Sequence, residues 1–170
     1  MTAKIETKLW LIGVLMLVAL IASGQLFMGD SAFTILDHQA AATAERVDEI
    51  QAAWQAEGYF TQHAIGMVGD LIFICVYSLG TWRAGKALRD SANGFARIVG
   101  AITLGLAVIF FVTDITETSL QLVQMLTGEG VNWMAGTAAF MQPIKINAWI
   151  ASFLAVIIGL VANRFSSSAH

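Results

Sequence analysis

Four long apolar segments constrain the fold of this chain more than any other feature. They cover residues 9–28, 61–82, 98–126 and 142–163. Each is close to or longer than the roughly 20 residues that a helix needs to cross the hydrocarbon core of a bilayer. In lipid, an isolated segment satisfies its backbone hydrogen bonds only as a helix. The sequence therefore predicts an all-α integral membrane protein, a four-helix transmembrane bundle.

Composition and length agree with this class. Hydrophobic residues make up 57% of the chain and charged residues 12%, and the mean hydropathy is +0.71. A soluble domain has about a quarter charged residues. Because 170 residues provide four spans with short connections, we predict a single transmembrane domain over residues 1–170. The net charge of −3 and the lack of a basic tract argue against a nucleic-acid partner.

The first apolar segment has two interpretations. Lys4 and Lys8 precede a run of apolar residues, and small residues follow at positions 22–24, as in a signal peptide with its cleavage site. Apolar sequence continues to Met28, which is longer than a signal peptide needs and is typical of a retained span. Both interpretations remain open.

Basic residues predict the orientation. Arg83, Lys86, Arg89 and Arg97 lie between the second and third spans, and Arg164 follows the fourth. Short connections rich in Lys and Arg stay on the cytoplasmic side, so both termini are expected there. The opposite side is acidic and carries Asp30, Asp37, Glu45, Asp48, Glu49 and Glu57. We expect localisation to a bacterial inner membrane, with the acidic side outside the cytoplasm.

The first outer loop contains a predicted amphipathic helix over residues 39–57. Val47, Ile50 and Trp54 recur there at helical spacing. This apolar stripe is expected to lie on the bundle or on the lipid surface, and a solvated linker helix is the alternative.

Three further residues suggest where helices begin and end. Asp37 is a candidate N-cap for the outer helix, and Gly58 is a candidate stop. Pro143 suits the first turn of the fourth span. Residues 127–141 then form the second outer connection, which we interpret as a re-entrant or short helical segment.

Ionisable residues inside the spans are the main functional signal. Such groups are expensive at membrane depth, so they pair, face a protein-lined cavity or carry the function. Helical phase places them on the interior faces of the second, third and fourth spans. Counting ~1.5 Å per residue also places His63, Glu117 and Lys145 at a similar depth. The candidate ligand-binding or proton-binding residues are His63, Asp70, Asp114, Glu117, Gln121 and Lys145.

Helix dipoles predict which of these residues pair. Lys145 lies near the positive end of the fourth span, whereas Asp114 and Glu117 lie toward the negative end of the third. Each charge is badly placed for its own helix and well placed for the neighbouring antiparallel one. We therefore predict that Lys145 pairs with Glu117 or Asp114.

One lysine cannot neutralise three carboxylates, so a proton, a charged His63 or a bound cation is expected to complete the balance. Two functions follow. The first is an accessory or interaction subunit whose polar cluster only fastens the helices together. The second is a transport or binding protein for a proton, a cation or a polar solute. Few polar residues lie between Asp70 and the cytoplasmic side, which favours a pocket open to the outside over a conduction path.

No cofactor is identified by the sequence. His63 is the sole histidine within a span, so a His/Met haem ligand set remains open. No close ligand spacing predicts a metal site, and no nucleophile motif predicts an enzyme. The expected partners are the lipid bilayer and either other membrane subunits or a second copy of the chain. Glycines within the spans suggest close helix contacts, at Gly66, Gly69, Gly80, Gly100 and Gly105.

Overall fold

The computed structural model describes residues 7–28 and 30–167. Within these ranges the chain is helical, without strands, and confirms the predicted all-α class. Four helices are long and apolar enough to cross a membrane. The helices are α1 (Lys8–Met28), α2 (Ile35–Gln39), α3 (Ala44–Glu57), α4 (Phe60–Arg89), α5 (Gly94–Thr127) and α6 (Asn132–Ser167).

The four long helices run alternately up and down. Gly13 of α1 lies against Tyr77 of α4, and Gly69 of α4 lies against Leu20 of α1, so these two helices are antiparallel. The same holds for α4 with α5 and for α5 with α6. Helix α5 packs extensively on both α4 and α6, whereas α1 packs mainly on α4.

The bundle has two chemically different ends. We call the end that carries α2 and α3 the acidic end, because α3 holds Glu45, Asp48, Glu49 and Glu57. We call the opposite end, at the connection between α4 and α5, the basic end. Arg83, Lys86, Arg89 and Arg97 lie there.

The transmembrane helices are longer than the predicted spans. Helix α4 has 30 residues, which is ~45 Å and exceeds the ~30 Å hydrocarbon core. Helix α6 begins at Asn132 and not near residue 142, so the prediction of a separate segment over residues 127–141 is wrong. Pro143 consequently lies inside α6 and not in its first turn. The extra turns reach α3, where the Asn132 side chain accepts a hydrogen bond from the Ala44 N–H at 2.8 Å.

The predicted outer helix over residues 39–57 corresponds to α3, which begins at Ala44, and a separate short helix, α2, precedes it. Asp37 does not cap it from the N-cap position: Thr34 caps α2, and Asp37 completes the capping box as the third helical residue. Thr43 caps α3 separately. Gly58 ends α3 with a left-handed φ of 79°, which confirms the predicted stop.

The apolar stripe of α3 rests on the bundle and is not solvated. Val47, Ile50 and Trp54 are at most 1% exposed. They belong to an apolar cluster, here called the cap cluster, of Ala41, Val47, Ile50, Trp54, Met67, Met125 and Ala135. A second apolar cluster lies nearer the basic end and is called the central cluster: Trp10, Phe73, Ile74, Tyr77, Ala84, Phe110, Ala148 and Val156.

Helix α1 is held by close backbone contact and by one aromatic ring. A Cβ on Gly80 would lie 2.5 Å from the backbone nitrogen of Trp10, so only glycine allows this approach. The Trp10 ring is buried and stacks on Phe153 at 5.4 Å. This packing favours a retained span over the signal-peptide interpretation. Gly66 and Gly105 face open space, so the prediction of close helix contacts is wrong for these two glycines.

Candidate functional site

The ionisable residues of the spans lie in a polar layer between the two apolar clusters. On each of three helices they are flanked by one residue of the cap cluster and one of the central cluster. The flanking pairs are Met67 and Phe73 on α4, Met125 and Phe110 on α5, and Ala135 and Ala148 on α6. We call the ionisable set the charged cluster: Asp70, Asp114, Glu117 and Lys145.

Lys145 contacts two of the three carboxylates. Its Nζ donates a hydrogen bond to Asp114 Oδ1 at 2.8 Å and lies 3.0 Å from Glu117 Oε1. All three residues are buried, and Glu117 is fully so. The predicted pairing is therefore confirmed for both partners. The Glu117 contact is an ion pair by distance, because neither of its oxygens has a well-aligned hydrogen bond among the described residues.

Asp70 completes the cluster from α4. Its Oδ2 accepts a hydrogen bond from the Thr118 hydroxyl of α5 at 3.1 Å. Asp70 is also close enough to Asp114 and Lys145 to interact with both electrostatically. With every group ionised, the cluster would carry two uncompensated negative charges in a site largely removed from water.

Gln121 lies one turn from Glu117 toward the acidic end. It is 1% exposed, and within the described part of the chain neither its Oε1 nor its Nε2 has a hydrogen-bond partner. Leaving such a buried group unsatisfied costs roughly 1–3 kcal/mol. The next residue on this face, Gln124, is satisfied: it donates to Leu120 O and accepts from Val131 N.

His63 lies against Trp54 of the cap cluster and not beside the carboxylates of the charged cluster. Its ring stacks on Trp54, with centroids 3.8 Å apart and planes 18° apart. His38 also packs against this indole, with ring centroids 5.1 Å apart and planes tilted by 33°. No hydrogen bond or ion pair within residues 7–28 and 30–167 joins His63 to the charged cluster. The shared depth counted from the sequence thus does not bring His63 into contact with Glu117 or Lys145.

His38 belongs to this stack, which sequence analysis did not predict. Burial, helped by the nearby His63, lowers the pKa of His38 from 6.5 to about 4. The imidazole is therefore neutral near pH 7. The Nε2 atom of His38 lies 3.4 Å from the side-chain nitrogen, Nε2, of Gln51. The stack could not be predicted, because His38 and Trp54 are single aromatic positions on two different helices, α2 and α3, and no sequence pattern links them.

Polar contacts become sparse between the charged cluster and the basic end. Tyr77 and Ser152 share a hydrogen bond of 3.1 Å within the central cluster. Around them Tyr77, Phe110 and Phe73 pack edge to face or tilted, with centroids 5.3–6.2 Å apart. The sequence holds no Asp, Glu, Lys, Arg or His over residues 77–82 of α4, 98–110 of α5 and 152–163 of α6.

Comparison with protein-family models, curated proteins and solved structures found no match for this chain. Among the described residues, no three His, Cys, Asp or Glu side chains gather closely enough to hold a metal ion. The chain is a multi-pass membrane protein with a buried charged cluster, and its geometry is the basis for any functional assignment.

Proposed function

We propose that this protein binds protons in its charged cluster and takes them up from the acidic end. The observation that carries the proposal is the imbalance of charge: among the residues that the structure describes, Lys145 is the single Lys or Arg beside Asp70, Asp114 and Glu117. Each uncompensated ion costs several kcal/mol in a site removed from water. Protonation of one or two carboxyls removes that cost.

A proton suits this site better than a metal ion. The Lys145 ammonium lies between Asp114 and Glu117, where a bound cation would have to sit. The carboxylates of the described chain also do not converge in the way that a metal ion needs. A proton needs only one carboxylate oxygen, and it can be shared among the three acids.

The central cluster supports binding from one side over conduction through the membrane. Phe73, Tyr77 and Phe110 fill the layer between the charged cluster and the basic end. We place the basic end in the cytoplasm, because Arg83, Lys86, Arg89 and Arg97 lie there. The acidic end is then outside, and a bacterial inner membrane is the setting that we propose.

Infrared spectroscopy in detergent tests the proposal. The carbonyl band of protonated, buried carboxyls should grow as the pH is lowered in the natural protein. Asp70→Asn should remove part of that change, because it deletes one of three sites that share protons. Asp90→Asn is the matched control, since Asp90 is an exposed carboxylate at the basic end. A natural protein without any pH-dependent buried carboxyl band would overturn the proposal.

The interaction-subunit hypothesis makes the opposite prediction for the same experiment. If the charged cluster only fastens α4, α5 and α6 together, its protonation state stays constant across the pH range in which the fold is stable. Native mass measurement in mild detergent would then report co-purifying membrane subunits or a second copy of the chain. We rank this hypothesis second, because fastening requires no surplus of carboxylates over cations.

A further inference from the structure

The charged cluster continues toward the acidic end as a line of polar residues on one face of α5. From Glu117 the line passes through Gln121 and Gln124, which follow at intervals of three and four residues. All three side chains are at most 1% exposed. The opposite direction along α5 leads to Phe110 of the central cluster. Polar character is therefore continuous from the charged cluster toward one end only.

A polar pocket lies on the surface of the acidic end, one turn beyond Gln124 along α5. This pocket has a volume of about 170 Å³ and lies between α3 and the end of α5. Asp48, Gln51, Ala52, Gln55, Gly128 and Glu129 line it. From Gly128 to Asp114 is fourteen residues, or ~21 Å along the helix axis. The pocket thus opens at the far end of the face that carries the carboxylates.

The two glutamines of the line differ in how their side-chain amides are used. The side-chain nitrogen of Gln124 donates to Leu120 O, and its side-chain oxygen accepts from Val131 N–H. Gln121 has both a free donor and a free acceptor at 1% exposure, within the described chain. A water molecule that bridges Gln121 to Glu117 would remove a cost of roughly 1–3 kcal/mol, which makes this a favourable place for internal water.

We propose that protons reach the charged cluster from the surface pocket along this face of α5, with Gln121 as the positioning residue that orders water beside Glu117. The inference rests on the proposed proton-binding function. In the transfer step, a hydronium ion held at Gln121 breaks one O–H bond. The released proton forms an O–H bond on a Glu117 carboxylate oxygen, and neutral water remains. The amide of Gln121 orients water by hydrogen bonding and does not itself change its protonation state.

The test separates the rate of proton binding from its extent. After a rapid drop in pH, the buried carboxyl band of the detergent-solubilised protein is followed over time. Gln121→Leu should slow its growth roughly tenfold or more, since a barrier higher by ~1.4 kcal/mol has that effect. The final amplitude should stay as in the natural protein. Gln25→Leu, an exposed glutamine on α1, is the matched control and should change neither quantity.

A second variant blocks the pocket without touching α5. Gln55→Cys, made in a Cys75→Ala background and labelled with a bulky maleimide, should also slow the growth of the buried carboxyl band. The same label on Ala92→Cys, at the basic end, should not. If the carboxyl band grows at the natural rate and to its full amplitude in both Gln121→Leu and the labelled Gln55→Cys variant, the route is overturned and proton binding stands. A natural protein without any band change would instead overturn proton binding itself.

Discussion

Lys145 donates a hydrogen bond to Asp114 across 2.8 Å, although the two residues are 31 positions apart in the sequence. The antiparallel arrangement of α5 and α6 brings the two side chains together, and both residues lie more than three turns from the nearer end of their helix, so the helix dipoles contribute little to the pair. Glu117 lies 3.0 Å from the same ammonium group, and Asp70 is near enough to interact with it electrostatically. The bundle is thus organised around one cation and a surplus of carboxylates.

Replacement of Lys145 by methionine should strongly destabilise the protein. The change leaves Asp114 and Glu117 buried without their cation, and breaking a buried ion pair in this way costs roughly 3–5 kcal/mol. Thermal unfolding in detergent measures the effect, with Lys86→Met as the control, because Lys86 is an exposed lysine at the basic end. The double variant Lys145→Met/Asp114→Asn should regain part of the loss. Equal stability of the two lysine variants would contradict the assigned role.

Stability should fall as the pH drops from about 6.5 to about 4, partly through His38. The folded protein holds the pKa of this imidazole at about 4, whereas in the unfolded chain it is near 6.5. Between these values the unfolded state binds more protons, so acid favours unfolding by up to about 3 kcal/mol. Above pH 6.5 both states are neutral and the contribution is constant.

The measurement for His38 is the thermal midpoint as a function of pH. His38→Gln keeps a polar, uncharged side chain and should flatten the curve between about pH 6.5 and pH 4. An identical pH dependence in the natural protein and in His38→Gln would show that other groups account for the acid sensitivity.

Truncation of Trp54 should weaken the packing of α3 on the bundle. The indole is fully buried and packs against two imidazole rings, and its N–H donates to Phe33 O at 2.8 Å. Loss of such a side chain costs roughly 3–5 kcal/mol. Trp54→Ala should therefore lower stability and speed amide exchange in α3. Trp133→Ala is the control, because that ring is 62% exposed, and a similar effect of both changes would count against the cap as described.

A matched pair of glycine variants tests the close contact between α1 and α4. Gly80→Ala places a Cβ against the backbone of Trp10 and should cost roughly 1–3 kcal/mol through overpacking. Gly105→Ala meets nothing within 4 Å and should be neutral or slightly stabilising. Thermal unfolding of the two variants compares them directly. If the Gly80 variant were as stable as the Gly105 variant, α1 would not be held by this contact.

The pairing of Lys145 could be predicted because hydropathy located the spans and helical phase selected their interior faces. The helix-dipole argument selected the observed partners although its premise was wrong, since α6 begins at Asn132 and Lys145 lies more than three turns from that end. Hydropathy and helical phase both act within a single helix. The start of α6 was missed for a related reason, since hydropathy detects where lipid ends and not where a helix ends. Residues 132–141 continue α6 beyond the predicted span, and they pack against α3.

The position of His63 could not be predicted in the same way. Its neighbours, Trp54 and His38, come from helices whose placement depends on the loops between α1 and α4. Counting residues gives depth to about one turn and gives no information on which outer helix covers a side chain. The capping box at Thr34 and Asp37 was likewise missed, because the sequence was interpreted as one outer helix and not as two.

A count of bound protons distinguishes a proton-binding charged cluster from a purely structural one. The natural protein and a variant with Asp70→Asn, Asp114→Asn, Glu117→Gln and Lys145→Met would each be titrated in detergent from about pH 9 to about pH 5, a window above the ordinary carboxyl pKa values. Exposed carboxylates contribute equally to both. If the charged cluster binds protons, the natural protein takes up about one proton more per chain than the neutral variant. Equal uptake by two folded proteins would contradict proton binding by the charged cluster.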